Sequence, residues 1–274
     1  REQIWKQSSK NFNVADVTTE TDGNKTILTA NYLLAAGNLY IMKYTIYPDG
    51  MVHADITFTS TDMKAASTEV SEATLMATFT PGQDAQRLAS SKLNVPRIGV
   101  RFRLPANMNQ VTYFGRGPEE NYIDRNNGTL VGLYKNTADA MYFPYVRPQE
   151  NGHHTDTRWL TLSRKGGKGL TIYADKTIGF NALRNSVEDF DGEEATHRDY
   201  QWQNRNEEER KHDVATARNI KPRQTHINDI TPRNFVEVCI DMKQMGDSWG
   251  AIPDPQYLIP ANQEYKWGFT IVPQ

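Results

Sequence analysis

The chain holds a single cysteine, Cys239, among 274 residues. One thiol excludes an internal disulfide framework and any zinc site built on several thiolates. It suits a reducing compartment and equally a periplasm without disulfides, so the bacterial cytoplasm and periplasm both stay open. No run approaches the roughly 18 consecutive apolar residues of a membrane span. The start, Arg1-Glu2-Gln3-Ile4-Trp5, has no apolar signal-peptide core. A basic excess is also missing: 31 Lys and Arg face 33 Asp and Glu, for a net charge of −2. That argues against nucleic acid and anionic membranes as partners.

Catalytic signatures are equally scarce. The sequence has no G-x-S-x-G nucleophile elbow, no G-x-x-x-x-G-K phosphate loop and no H-E-x-x-H zinc helix. The regular strand–helix alternation of an (α/β)8 barrel is absent too. Gly115-Arg116-Gly117-Pro118 has the look of a dinucleotide loop, but Pro118 and the acids after it do not open a helix. Nor can Glu119-Glu120 be a glycosidase pair, whose carboxyl groups must face each other across a sugar at about 5–10 Å. His153-His154, if adjacent on a strand, point to opposite faces and could share one ligand only in a distorted loop. They read as two histidines with hydrogen-bonding partners.

What is present is period-two alternation. Val52, Ala54, Ile56 and Phe58 alternate with polar neighbours, and Pro48-Asp49-Gly50 supplies turn chemistry before them. Leu39–Thr59 is therefore predicted to be a hairpin. Ile98, Val100, Phe102 and Leu104 form another apolar face, as do Val236, Val238, Ile240 and Met242. Further strands are expected at Arg158–Arg164, Leu170–Ala174 and Tyr265–Val272. The many strands and Gly, Pro and Asn turns indicate an all-β antiparallel sandwich or barrel. Ser67–Phe79 is compatible with a short helix or a strand. Two polar stretches, 62–92 and 191–223, read as surface insertions on one domain spanning 1–274, with a division near Pro96 as the alternative.

Three clusters mix aromatics, Gly, Pro and charges: Tyr113–Arg125, Tyr142–Gly152 and Gln244–Gly250. Loops of this kind at the end of a rigid sandwich are where binding residues collect, although arginines and glutamates tying irregular loops together would look the same. In this order the clusters resemble the C-terminal domain of family-2 β-galactosidases. That family shows G-R/L-G-P-x-E-N-Y-x-D-R, then P-Y-V-x-P-x-E-N-G with T-x-R shortly after, then a G-D/N-S-W loop. The matching residues are Gly115–Arg125, Pro144–Gly152 with Thr157 and Arg158, and Gly246–Trp249.

The resemblance is specific from about Pro96 to Gln274 and weaker from Trp5 to Thr59. It implies a large two-sheet antiparallel β-sandwich of the galactose-mutarotase kind, seated beside an (α/β)8 barrel that carries both catalytic carboxylates. No catalytic residue is then expected in this chain, and no cofactor, with any divalent or monovalent cation left to the barrel. Trp249, with Asp247 and Ser248, matches the loop that walls the sugar site. Here that loop is shorter than the family's M-G-x-G-G-D/N-x-S-W. Arg116, Glu120, Asn121, Asp124, Arg125, Glu150 and Asn151 match the other two motifs and are expected to be structural.

The family's early R-x-P-x-D-N-D segment is not found, so the chain reads as a fragment starting inside the domain. The implied partners are a β-galactoside, the barrel of the same polypeptide and further copies in a homo-oligomer. A stand-alone sugar epimerase on the same fold and a carbohydrate-binding module are the competing readings.

Overall fold

The computed structural model describes residues 5, 8, 12–34, 37–60, 94–190, 227–246 and 253–274. The expected hairpin forms as β3 (Leu39–Ile46) and β4 (Val52–Thr59), in register Ile46 with Val52. Its turn closes with the Tyr47 N–H donating to the Met51 carbonyl at 2.9 Å, and the Asp49 carboxylate accepts the Met51 N–H at 3.0 Å. Two strands precede it, β1 (Asn13–Asp22) and β2 (Lys25–Leu33), which continue the same meander.

The remaining strands follow in chain order. They are β5 (Arg97–Pro105), β6 (Gln110–Gly117), β7 (Leu130–Thr137) and β8 (His154–Ser163), then β9 (Gly169–Leu183), β10 (Phe235–Gln244) and β11 (Glu264–Pro273). All pairings are antiparallel, in the order β1-β2-β3-β4-β11-β9-β8-β6-β7. The sheet branches at β9. Along one edge this 15-residue strand pairs first with β11, over Leu170–Ala174, and then with β10, over Gly179–Leu183. β10 in turn carries β5.

The two wings fold over one interior, which is the sandwich that the sequence implied. Ala54 and Ile56 of β4 and Phe269 of β11 share a core with Val236, Val238 and Ile240 of β10. Leu160, Leu162, Ile172 and Phe180 fill its centre. Tyr40 of β3 crosses the interior, its hydroxyl donating to the Gly99 carbonyl of β5 at 2.9 Å. It also joins this core to a second cluster built from Phe58, Val95, Ile98, Ile259, Ala261 and Tyr265. Burying each such side chain contributes about 1.5–3 kcal/mol.

β9 runs nine residues beyond the predicted Ala174. Asp175, Lys176 and Thr177 interrupt the apolar alternation where the strand changes partner, and they are exposed. Beyond them Ile178, Phe180 and Ala182 resume it inside the core. The segment 67–79 and both polar stretches, 62–92 and 191–223, lie outside the described residues. Among the described residues no helix is long and apolar enough to cross a membrane.

Candidate functional site

The alternation that sends Val236, Val238 and Ile240 inward sends Glu237, Cys239 and Asp241 to the other face of β10, where they are nevertheless buried. Arg97, at the start of β5, reaches across to Asp241. Its Nε donates to Oδ1 at 2.7 Å and its Nη2 to Oδ2 at 2.6 Å. The same guanidinium donates to Asn181 Oδ1 at 2.9 Å and Glu150 Oε1 at 3.3 Å. Burial works against its charge, but the carboxylates of Asp241 and Glu150 outweigh that and hold Arg97 firmly cationic.

Asn181 donates from Nδ2 to the Asn151 carbonyl at 2.7 Å and to Glu150 at 3.2 Å. Those partners orient its amide, so His153 Nδ1, 2.8 Å from Asn181 Oδ1, must be the donor. His153 is therefore a neutral ring with a fixed tautomer. Burial, and then the Arg97 charge, push it down to about 3. Burial raises the Cys239 thiol to about 12, which makes it inert. Glu237 is held by Arg103 at 2.9 Å and by the Val187 N–H at 3.0 Å. Between these groups a narrow pocket is lined by Glu150, Asn181, Asn185, Phe190, Glu237 and Cys239.

The first two sequence clusters meet beside this layer. Glu120, whose side chain is 5% exposed, accepts from the Tyr145 hydroxyl, from Arg125 Nη2 at 2.8 Å and from the Gly152 N–H at 2.6 Å. One carboxylate thus ties Gly115–Arg125 to Pro144–Gly152. Arg125 also lies over the Tyr122 ring, 4.4 Å from its centre, and Tyr122 stands against His153. Asn121, fully buried, donates to the Arg116 and Glu119 carbonyls and accepts from Thr155. Arg116 pairs with Asp156 at 2.5 Å and donates to the Thr129 carbonyl at 2.8 Å. Asn151 accepts the Phe143 N–H at 3.1 Å and donates to the Gln149 carbonyl.

Asp124 sits where the first cluster meets the third. Its carboxylate packs on Gly246 so closely that a Cβ there would fall 1.7 Å from Asp124 Cγ, so only glycine fits. Among the described residues, three buried polar atoms on the two segments meeting there have no hydrogen-bond partner: Tyr122 Oη, Asp124 Oδ1 and Gln244 Oε1. Asp247, Ser248 and Trp249 lie outside the described residues.

Sequence reasoning brought Glu120, Arg125 and Glu150 forward but missed Arg97, Asn181, Asp241 and the fixing of His153. In the runs Arg97–Leu104 and Val236–Met242 these polar residues look like an ordinary solvated strand face. The covering segments 144–153 and 185–190 make that face an interior. His154 is buried as well, between the Gly152 and Pro118 carbonyls, with Tyr113 and Phe180 against its ring. The two histidines do part to different partners. Most of the charged groups of the layer meet partners within the protein, and these contacts hold the loops in place.

The β-galactosidase of Priestia megaterium is 28% identical over 279 aligned residues, which take in 99% of this chain and 21% of that protein. The Streptococcus thermophilus β-galactosidase is 30% identical across 66% of this chain and 15% of its own length. A β-galactosidase from an Arthrobacter species is 39% identical across 34% of this chain and 10% of its own. The chain thus spans about a fifth or less of these relatives. The sequence profile of the β-galactosidase small chain matches residues 1–271, nearly the full length, and the chain belongs to that family.

Proposed function

We propose that this chain is the non-catalytic sandwich of a β-galactosidase that hydrolyses terminal β-D-galactosides. It completes the substrate side of a site whose acid and nucleophile sit on a separate (α/β)8 barrel of the same polypeptide, within a homo-oligomer. The observation that carries this reading is the near end-to-end match to one fifth of a larger β-galactosidase. The carboxylates support it. Glu120, Glu150, Glu237 and Asp241 each meet an arginine, whereas glycoside hydrolysis needs two carboxyl groups free to face one bond.

An epimerase on this fold would need a histidine and a carboxylate open to a sugar. His153 and His154 are closed in by protein partners, which speaks against it. The purified chain, free of host enzyme, should release no nitrophenol from a nitrophenyl β-galactoside; turnover would overturn the proposal.

Trp249, preceded by Asp247 and Ser248, is the residue proposed to touch sugar. An indole offers a broad apolar face and one N–H donor, which suits a galactoside or its aglycone. In the whole enzyme Trp249→Ala should raise KM while leaving the fold intact. An unchanged KM would remove Trp249 from the site.

A further inference from the structure

On the outer face of the sheet, away from the layer above, three side chains converge that the proposed function does not use. His53 and Asp55 lie two apart on β4 and so project to the same side, and Asp175 comes from β9. β11 runs between those strands and places Gly268 beside Asp55, one residue past the Phe269–Ala174 pair. A Cβ on Gly268 would stand 2.5 Å from Asp175 Oδ2, so the missing side chain is what lets that carboxylate lean across β11. His53 Nε2 then lies 3.3 Å from Asp55 Oδ1 and 3.8 Å from Asp175 Oδ2. One ligand atom from each residue falls within 4.8 Å of the other two.

The tautomer matters. His53 Nδ1 is 2.9 Å from Thr270 Oγ1. Nε2 is also 3.3 Å from Asp55 Oδ1, so the ring can donate at either nitrogen. In the tautomer with Nδ1–H donating to Thr270, the Nε2 lone pair is turned toward the two carboxylates, where a cation fits. The side chains are 24%, 59% and 46% exposed, which leaves open directions for water. Lys43 of β3 is Asp55's register partner on the far side, but the close ion pairs of both aspartates are with His53. One imidazole and two carboxylates form a mixed nitrogen and oxygen set that suits first-row divalent ions better than Ca²⁺ or Mg²⁺.

We propose that His53, Asp55 and Asp175 bind one divalent transition ion of the Zn²⁺ type, completed by water. The ion staples β4, β11 and β9 together at the point where β9 leaves β11 for β10. Thr270 positions the imidazole from behind, as the outer partner of a metal-bound histidine does.

The test is calorimetric titration of ZnCl₂ into the chelator-treated chain, alongside His53→Ala and Asp175→Asn. The wild type should bind one equivalent more than either variant, and Zn²⁺ should raise the melting temperature of the wild type alone. Thr270→Val should weaken that equivalent by about 10-fold or more. His197, His212 and His226 are common to all four proteins, so the difference in equivalents reports this site. Without any variant, Co²⁺ should broaden the Gly268 and Thr270 amide resonances ahead of others. Equal stoichiometry in wild type and variants, or broadening centred elsewhere, would overturn the proposal and leave His53 as a hydrogen-bonding partner of Asp55.

Discussion

Glu120 shows how much one side chain can organise. A carboxylate that is almost fully buried must find donors or give up its charge, and Glu120 finds an arginine, a phenol and a backbone amide. These come from both loop clusters, so the residue joins its own loop to partners 25 and 32 positions further along the chain. Glu120→Gln keeps the shape but removes the charge and sets an NH₂ against groups that are themselves donors. A hydrogen bond to a charged group is worth about 1.5–3 kcal/mol, and Arg125, being half exposed, can turn to water. The expected loss is therefore roughly 2 kcal/mol, a melting temperature several degrees lower by circular dichroism. A variant that melts with the wild type would mean that the loops are held elsewhere.

Among the elements, legibility in the sequence followed how locally each was determined. The β3–β4 hairpin could be read because alternation and turn chemistry fall within 21 residues and agree. The inward faces of β5 and β10 were legible for the same reason. β9 was cut short at Ala174, since Asp175-Lys176-Thr177 carry no apolar side chain where the strand exchanges one neighbour for another. No local pattern encodes a branch point, which depends on β10 arriving from some 60 residues further along. Charge contacts were less legible still. The glutamates and arginines of the two motifs could be singled out by composition, but their pairing needed the fold. Arg97 and Asp241, 144 residues apart, gave no signal. His53, Asp55 and Asp175 gave none either, because a register across three strands brings them together. The loop with Asp247, Ser248 and Trp249 is known from sequence alone, and its role stays with the proposal.

At the scale of the whole molecule, the sandwich has two interiors: the apolar one between its wings and a polar one beneath the segments 144–153 and 185–190. The polar one makes the fold sensitive to acid. His153 is pushed down to about 3 by burial and the Arg97 charge, and burial also lowers His154. His153 is neutral in the folded protein down to about pH 3, while in the unfolded chain it takes up a proton near pH 6.5, and His154 is shifted in the same direction. The unfolded state therefore binds more protons below that pH, and stability must fall as the pH drops. The loss begins near pH 6.5 and, for His153, continues to about 3. For His153 the slope approaches about 1.4 kcal/mol per pH unit, which costs ~2 kcal/mol by pH 5. Asp189, whose carboxyl is held below the usual range despite burial by its bonds to Arg233 and Ser186, adds its own loss only at lower pH. The window between pH 6.5 and 5 lies above the Asp189 loss, and burial of the Asp241 carboxyl, which raises it, works in the opposite sense to the histidines. Urea midpoints measured across that window should fall steadily at constant m-value, and His153→Gln should flatten the trend. A midpoint that stays level from pH 7 to pH 5 would show that the polar interior opens to water and carries its histidines charged.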